Sequence, residues 1–321
     1  MPKIGLLHTG TEESYTQEVA SLISGLGAMG YWASKQPVPD GHGYTKIDIE
    51  PKWAKDNPDT LKEYADTLAN DAEVQVIVAG GGPQSAVAAM EKTVTNRKPV
   101  VFTTVADPVE SRLVDDYARP GRNLTGMAGK TSELDPPRLL KLATVLRANS
   151  TDARKRVKVL RKKNRPKGRE QYDRLADATL GTDLDLDPED AGTVAETLAL
   201  MKANAAAIHG RLVMADSFFY NNRKDVVQGA ARKPAIYQWR EFVEIGGLMS
   251  FGPSIQEAYF TAGVYAGRIL KGETPANIAV SVPTRFELAI NVKTAADAGI
   301  TIPRQLLDAA DVKINGTIQR Q

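Results

Sequence analysis

The 321 residues include no cysteine. Disulfides, thiol catalysis and thiolate metal sites are therefore excluded, and the chain is compatible with an oxidising compartment. Histidine is scarce: His8, His42 and His209 are scattered, and no His-Glu-x-x-His pair, Walker loop or Gly-x-Ser-x-Gly elbow occurs. No apolar run approaches the roughly 20 residues that span a bilayer. Net charge is only +2, so no overall field selects nucleic acid or a membrane surface. The opening residues, MPKIGLLHTG, run straight into a strand without a basic region and a long apolar segment. No export signal is read in the sequence as given, and one already removed would leave the same picture. These absences point away from an enzyme, and no cofactor or metal is expected. What remains is an ordinary globular composition, 42% hydrophobic and 25% charged, over a length that suits two domains.

What is there is organised around residues 74–108, VQVIVAGGGPQSAVAAMEKTVTNRKPVVFTTVADP. Val74–Ala79 and Val100–Phe102 are short Val/Ile-rich runs of the kind found in buried parallel strands. The first ends at Gly80-Gly81-Gly82-Pro83, followed by Gln84, Ser85 and an Ala-rich helix. The second ends at Thr103-Thr104-Val105-Ala106-Asp107-Pro108. In open parallel sheets ligands bind outside the carboxyl ends of the strands. Glycines there leave backbone N–H groups uncovered, and Ser85 is placed to cap the helix. The competing reading is a tight strand-to-helix turn that binds nothing. Lys3–Leu7 is a strand that ends in a third such loop, His8-Thr9-Gly10-Thr11, before a helix over Glu12–Gly25.

The rest of the chain repeats the βα pattern. A strand near Ile47 follows a Gly/Pro-rich excursion, and Asp59–Asn70 is an amphipathic helix capped by Asp59 or Thr60. Leu113–Tyr117 reads as helix and Leu124–Met127 as strand. Helices at Leu134–Leu146, Gln171–Leu180, Ala191–Ala203, Asn222–Ala231 and Tyr259–Leu270 alternate with strands at Val157–Leu160, Leu184–Leu186, Ala206–Ala215, Pro234–Tyr237 and Gly246–Phe251. A further strand at Thr284–Ile290 precedes short helices at Ala295–Gly299 and Pro303–Ala309. The pattern breaks near Gly126. It predicts an α/β fold of two doubly wound parallel-sheet lobes.

Two charge runs need separate readings. Ten Lys or Arg residues lie between Arg154 and Arg169, but no aromatic residues are interleaved for base stacking, so a solvated surface is favoured over a nucleic-acid patch. Asp183, Asp185, Asp187, Glu189 and Asp190 resemble a calcium loop, yet Pro188 stands where the sharp-turn glycine belongs and Val194 where the bidentate Glu belongs. Asp107 and Asp216, at strand ends, lack an accompanying nucleophile or metal-ligand set and are read as binding groups.

Several segments together resemble one family. They are Val105-Ala106-Asp107-Pro108-Val109, Ala118–Gly126 (ARPGRNLTG), Pro234–Tyr237, Arg240–Val243, Gly246–Pro253 (GGLMSFGP), Ala266–Gly272 (AGRILKG), and Phe286–Leu288 with Ile290-Asn291 and Lys293–Ala295. The chain is similar to ABC-transporter substrate-binding proteins related to the tryptophan/tyrosine-binding lipoproteins. The resemblance implies a type I periplasmic-binding fold, with lobes joined by a three-segment hinge. Lobe one is expected at 1–125 and 251–282, lobe two at 126–250 and 283–321. It implies a ligand in the interlobe cleft; the N–H groups of Gly80–Gly82, the helix start at Ser85 and a fork from Arg161 point to a small carboxylate-bearing ligand, an amino acid or aromatic acid, bound by a monomer. The implied partners are ABC permease subunits, not nucleic acid, and the implied location is periplasmic or extracytoplasmic.

Strand-end position assigns Thr9, Gly10, Gly81, Gly82, Gln84, Thr104 and Asp107 to the ligand from lobe one. Asp216, Tyr237 and Phe251 face it from lobe two, the aromatics forming a wall beside Trp239. The family usually carries a Tyr-Asn-Pro-like turn where this chain has Arg161-Lys162-Lys163-Asn164-Arg165-Pro166, which places Arg161 at a cleft-facing strand end as a fork for a carboxylate. The alternative is a cytoplasmic small-molecule sensor or effector domain of the same fold.

Overall fold

The computed structural model describes every residue except 34–43, 166–167, 204–207, 231–232, 317 and 321. The excursion before Ile47, His42 and the start of the strand expected from Ala206 lie outside the described residues. The chain divides into two units, Met1–Lys130 with Ile255–Thr284, and Thr131–Ser254 with Arg285–Gln321.

The first segment of unit one runs β1 (Lys3–His8), α1 (Thr16–Ala28), β2 (Tyr31–Ala33), β3 (Thr45–Trp53), α2 (Pro58–Asn70), β4 (Val74–Gly80), α3 (Pro83–Thr93), β5 (Val100–Val105) and β6 (Leu124–Ala128). These strands form one sheet in the order β2-β3-β1-β4-β5-β6, and every pairing is parallel. The Val/Ile runs become its centre: Val76, Ile77 and Val78 of β4 are fully buried, as a parallel strand covered on both faces requires. Because β6 completes this sheet and Met127 bridges Ser281, unit one continues to Lys130 rather than ending at Thr125.

Unit two follows with α4 (Asp135–Asn149), β7 (Lys155–Lys162), α5 (Gly168–Asp177), β8 (Leu184–Ala191), α6 (Val194–Lys202), β9 (Gly210–Val213), α7 (Ser217–Asn221), α8 (Arg223–Gly229), β10 (Ala235–Tyr237), α9 (Arg240–Glu244) and β11 (Met249–Gly252). The chain returns to unit one as α10 (Ile255–Leu270) and ends in unit two as β12 (Glu287–Asn291), α11 (Val292–Ala298), α12 (Arg304–Asp308), β13 (Val312–Ile314) and β14 (Ile318–Arg320). The second sheet has the order β14-β13-β12-β11-β10-β9-β7-β8. It is parallel from β8 to β11, but β12 pairs antiparallel with β11 and β14 antiparallel with β13.

Local chemistry moves several boundaries. Asn57 is the cap of α2, accepting from the Asp59 and Thr60 amides, with Pro58 in the first turn. Leu113–Tyr117 is not a helix. Asp107 and Asp116 take the amides two and three residues on, closing turns around the segment, and the buried Leu113 and Val114 send their amides back to the Pro108 carbonyl instead of to residues four earlier. Helix α1 buries Glu18, Leu22, Gly25 and Leu26, with Val19 and Ile23 only half-buried. That face is chosen by α10: a Cβ on Gly25 would overlap the Phe260 carbonyl and one on Gly263 the Leu22 carbonyl, so two glycines let the helix backbones touch.

The two charge runs neutralise one another. Parallel pairing sets Arg156 opposite Asp185, Lys158 opposite Asp187 and Arg161 opposite Asp190. The corresponding ion pairs measure 3.5, 2.7 and 2.7 Å. Among the described residues, no helix is long and apolar enough to cross a membrane.

Candidate functional site

The carboxyl edge of unit one collects three loops, because β1, β4 and β5 are sheet neighbours in register, His8 opposite Gly80 and Ala79 opposite Phe102. Thr9, Gly10, Gly81, Gly82, Thr104 and Asp107 come together along this edge. The Thr9 hydroxyl donates to the Gly81 carbonyl at 2.7 Å, and the Gly10 amide donates to His8 Nδ1 at 2.9 Å. The turn after β3 joins them, with the Lys55 and Asp56 amides on the Gly10 and Thr9 carbonyls. Gly81 has φ +78° and Gly82 φ +106° with ψ −175°, a combination essentially reserved for glycine.

Two expectations for this loop need correction. The Gly81 amide is not uncovered, because it donates to the Tyr259 hydroxyl at 3.1 Å. Ser85 does not cap α3. The helix starts earlier, at Pro83 with Gly82 as its side-chain-free cap, so Ser85 sits inside the first turn and its hydroxyl donates back to the Gly82 carbonyl at 2.9 Å. Gln84 is exposed on that turn, and Thr104 is half-buried at the end of β5. Asp107 is half-buried, and one of its carboxylate oxygens closes the turn onto Val109 and Glu110 at 3.0 and 2.9 Å.

In unit two Asp216 is buried at the end of the segment after β9. It caps α7, accepting from the Phe218 amide at 2.9 Å, and its other oxygen lies 3.5 Å from Arg165 Nε. Burial raises its carboxyl above the usual range, against the opposing pull of Arg165 and the Phe218 amide. The short helix α7, starting at Ser217 immediately after it, gives Asp216 this capping role.

Three lobe-two assignments meet other partners. The Arg161 guanidinium is closed on both oxygens of Asp190, at 2.9 and 2.7 Å, and lies over the Tyr172 ring, so its fork is already filled from the neighbouring strand. Tyr237 is a core residue rather than a wall: it is fully buried and stacks on Phe242 at 4.8 Å, and burial raises its phenol. Phe251 packs against the unit-two core with the Lys141 ammonium 4.1 Å over its ring. Trp239 meets Tyr220 edge to face.

Residues outside the strand-end assignments that meet the loop or the buried polar groups are His8 and Tyr259 in unit one, and Asp135, Arg138, Arg165 and Gln238 in unit two. Arg138 is fully buried, donates to Asp135 at 2.6 Å and to the Phe251 carbonyl at 2.8 Å, and finds no partner for Nη2 among the described residues. Gln238 is fully buried, and among the described residues neither side-chain amide atom has a hydrogen-bond partner. Asp-Pro-Pro-Arg at the start of α4 was a readable hint, an acid and a base three apart on one helix face. Tyr259 offered none, because it lies 251 residues from the histidine it contacts.

The sequence pattern of the ABC transporter substrate binding protein family matches residues 40–314. A tyrosine-binding protein of Clostridioides difficile (strain R20291) is 26% identical over 270 residues, 83% of this chain and 74% of its own length. Two solved structures share the fold. An ABC domain in complex with L-Trp from Streptococcus pneumonia has a TM-score of 0.77 at 21% identity, covering 97% of this chain and 100% of that one. A conserved domain protein from Vibrio cholerae has a TM-score of 0.80 at 22% identity, covering 98% and 99%. The family match spans most of the sequence, and the two α/β units with parallel sheets are of the type I periplasmic-binding kind; the chain belongs to the ABC transporter substrate-binding proteins.

Proposed function

We propose that this chain is the solute-binding component of an ABC import system, acting outside the cytoplasm and without catalysis, and that its ligand is a small carboxylate-bearing molecule. An amino acid with an aromatic side chain is the first candidate. The observation that carries this reading is the carboxyl edge of unit one, where neighbouring strand ends present Thr9, Gly10, Gly81, Gly82, Thr104 and Asp107, with Gln84 on the following turn. Glycine-only backbone there lets a ligand approach main-chain amides without side-chain obstruction. Asp216 is the unit-two carboxylate best suited to an ammonium or hydroxyl group. The names of the relatives, tyrosine-binding and in complex with L-Trp, agree with this ligand class.

The test is calorimetric titration of the purified chain with L-tyrosine, L-tryptophan, benzoate and neutral sugars. Binding of the carboxylates and not of the sugars supports the reading, and sugar binding without response to any carboxylate overturns it. A folded Gly82→Val variant that retains full affinity removes the glycine loop from the site.

A further inference from the structure

His8 is completely buried, with Tyr15 and Trp53 against its ring at 3.9 and 4.8 Å between centroids. Its two nitrogens have different partners. The Gly10 amide donates to Nδ1 at 2.9 Å, so Nδ1 carries no proton. The proton of the neutral ring is on Nε2, which lies 2.6 Å from the Tyr259 hydroxyl. That hydroxyl therefore accepts from His8 and, at 3.1 Å, from the Gly81 amide. Both lone pairs of the hydroxyl are then taken. Glu18, on α1, is the acidic group whose field reaches this phenol.

Gly81 is thus held at both polar atoms by side chains, its N–H by Tyr259 and its C=O by Thr9. The glycines make room for this grip. A Cβ on Gly80 would stand 2.5 Å from the His8 ring and 2.8 Å from the Tyr259 oxygen, and a Cβ on Gly81 would overlap Thr9 Oγ1. Tyr259 arrives on α10, in the segment that returns to unit one from unit two.

We propose that His8 and Tyr259 are positioning residues of the ligand loop: the Nε2–H tautomer of His8 turns the Tyr259 hydroxyl to accept from Gly81, and this bond sets the plane of the Gly81 peptide and the direction of the amides that follow. The proposal rests on the reading of residues 80–82 as part of the ligand site. It also assigns the Gly81 N–H to the protein interior, so a bound carboxylate takes its donors from elsewhere on the loop.

The experiment combines amide exchange, imidazole ¹⁵N shifts and L-tyrosine titration on the full chain. Tyr259→Phe removes only the hydroxyl and is expected to speed Gly81 amide exchange about tenfold relative to Val76 and Val78, with the fold kept. His8→Gln places an amide nitrogen near the Nε2 position and retains Gly81 protection. His8→Asn reaches only the Nδ1 position and loses it, which separates positioning from mere filling of space. L-tyrosine affinity falls about tenfold in Tyr259→Phe and His8→Asn and stays within about twofold in His8→Gln. Unchanged Gly81 exchange in folded Tyr259→Phe, an Nδ1–H tautomer, or equal L-tyrosine affinity in all three variants overturns the proposal. A parent chain that binds neither L-tyrosine nor L-tryptophan counts against the ligand reading alone, and exchange and tautomer then decide the network.

Discussion

The two units hold their strand-end segments by different means. In unit one the grip on Gly81 is uncharged: a neutral imidazole, a phenol, a threonine hydroxyl and glycine backbone in one continuous set of hydrogen bonds. In unit two it is ionic, with Arg138 on Asp135, Arg165 beside Asp216, and the β7–β8 ladder of cross-strand pairs. The contrast follows from what each partner leaves behind when removed. A neutral network loses one modest hydrogen bond at a time. A buried ion pair broken on one side strands a charge, whereas an exposed pair is replaced by water at little cost.

The comparison is tested most strongly at Arg138. Arg138→Leu is expected to destabilise unit two by about 3–5 kcal/mol, because the buried Asp135 loses its hydrogen-bonded cation, and the Arg138→Leu/Asp135→Leu double variant should recover most of it. Chemical denaturation measures both. Equal stability of the single and double variants would show that the pair is not the source of the cost.

Asp216→Asn comes next. Asparagine caps a helix as well as aspartate does, so the fold should hold while L-tyrosine affinity drops about ten- to a hundredfold, the worth of a charged hydrogen bond of roughly 1.5–3 kcal/mol. Full affinity would reduce Asp216 to a cap.

The third test is pH. Burial lowers His8 from 6.5 to about 3. Between those values the unfolded chain binds the proton and the folded chain does not, so stability falls as the solution is acidified. The contribution is complete above pH 6.5 and is lost down to about pH 3, at about 1.4 kcal/mol per pH unit. His8→Gln should flatten that part of the stability curve, and an unchanged slope would place the titration elsewhere.

The smallest effect is expected on the β7–β8 ladder. A double-mutant cycle on Arg156 and Asp185, an exposed pair at 3.5 Å, should give a coupling below about 1 kcal/mol that salt removes. A larger, salt-insensitive coupling would bring the ladder into the same class as Arg138 and Asp135.

Much of the architecture was readable because periodicity is a local property. The Val/Ile runs at Val74–Ala79 and Val100–Phe102 lie in the strands Val74–Gly80 and Val100–Val105, and the Ala-rich stretch after Pro83 is a helix. The break near Gly126, a returning helix at Tyr259–Leu270, which begins a turn earlier at Ile255, and the glycine loops at strand ends followed from the same patterning.

What the tertiary structure alone decided is which polar groups meet. Arg161 finds Asp190 through strand register, Tyr237 lies under Phe242, and the basic run opposes the acidic run because β7 and β8 are parallel neighbours. Tyr259 reaches His8 and Gly81 from α10, and Asp216 becomes a cap because a five-residue helix forms behind it. The sequence carries propensity and hydrophobic period within a window of a turn or two. Hydrogen bonds and ion pairs act over a few ångströms, so their partners are set by whichever segments the folded chain brings side by side.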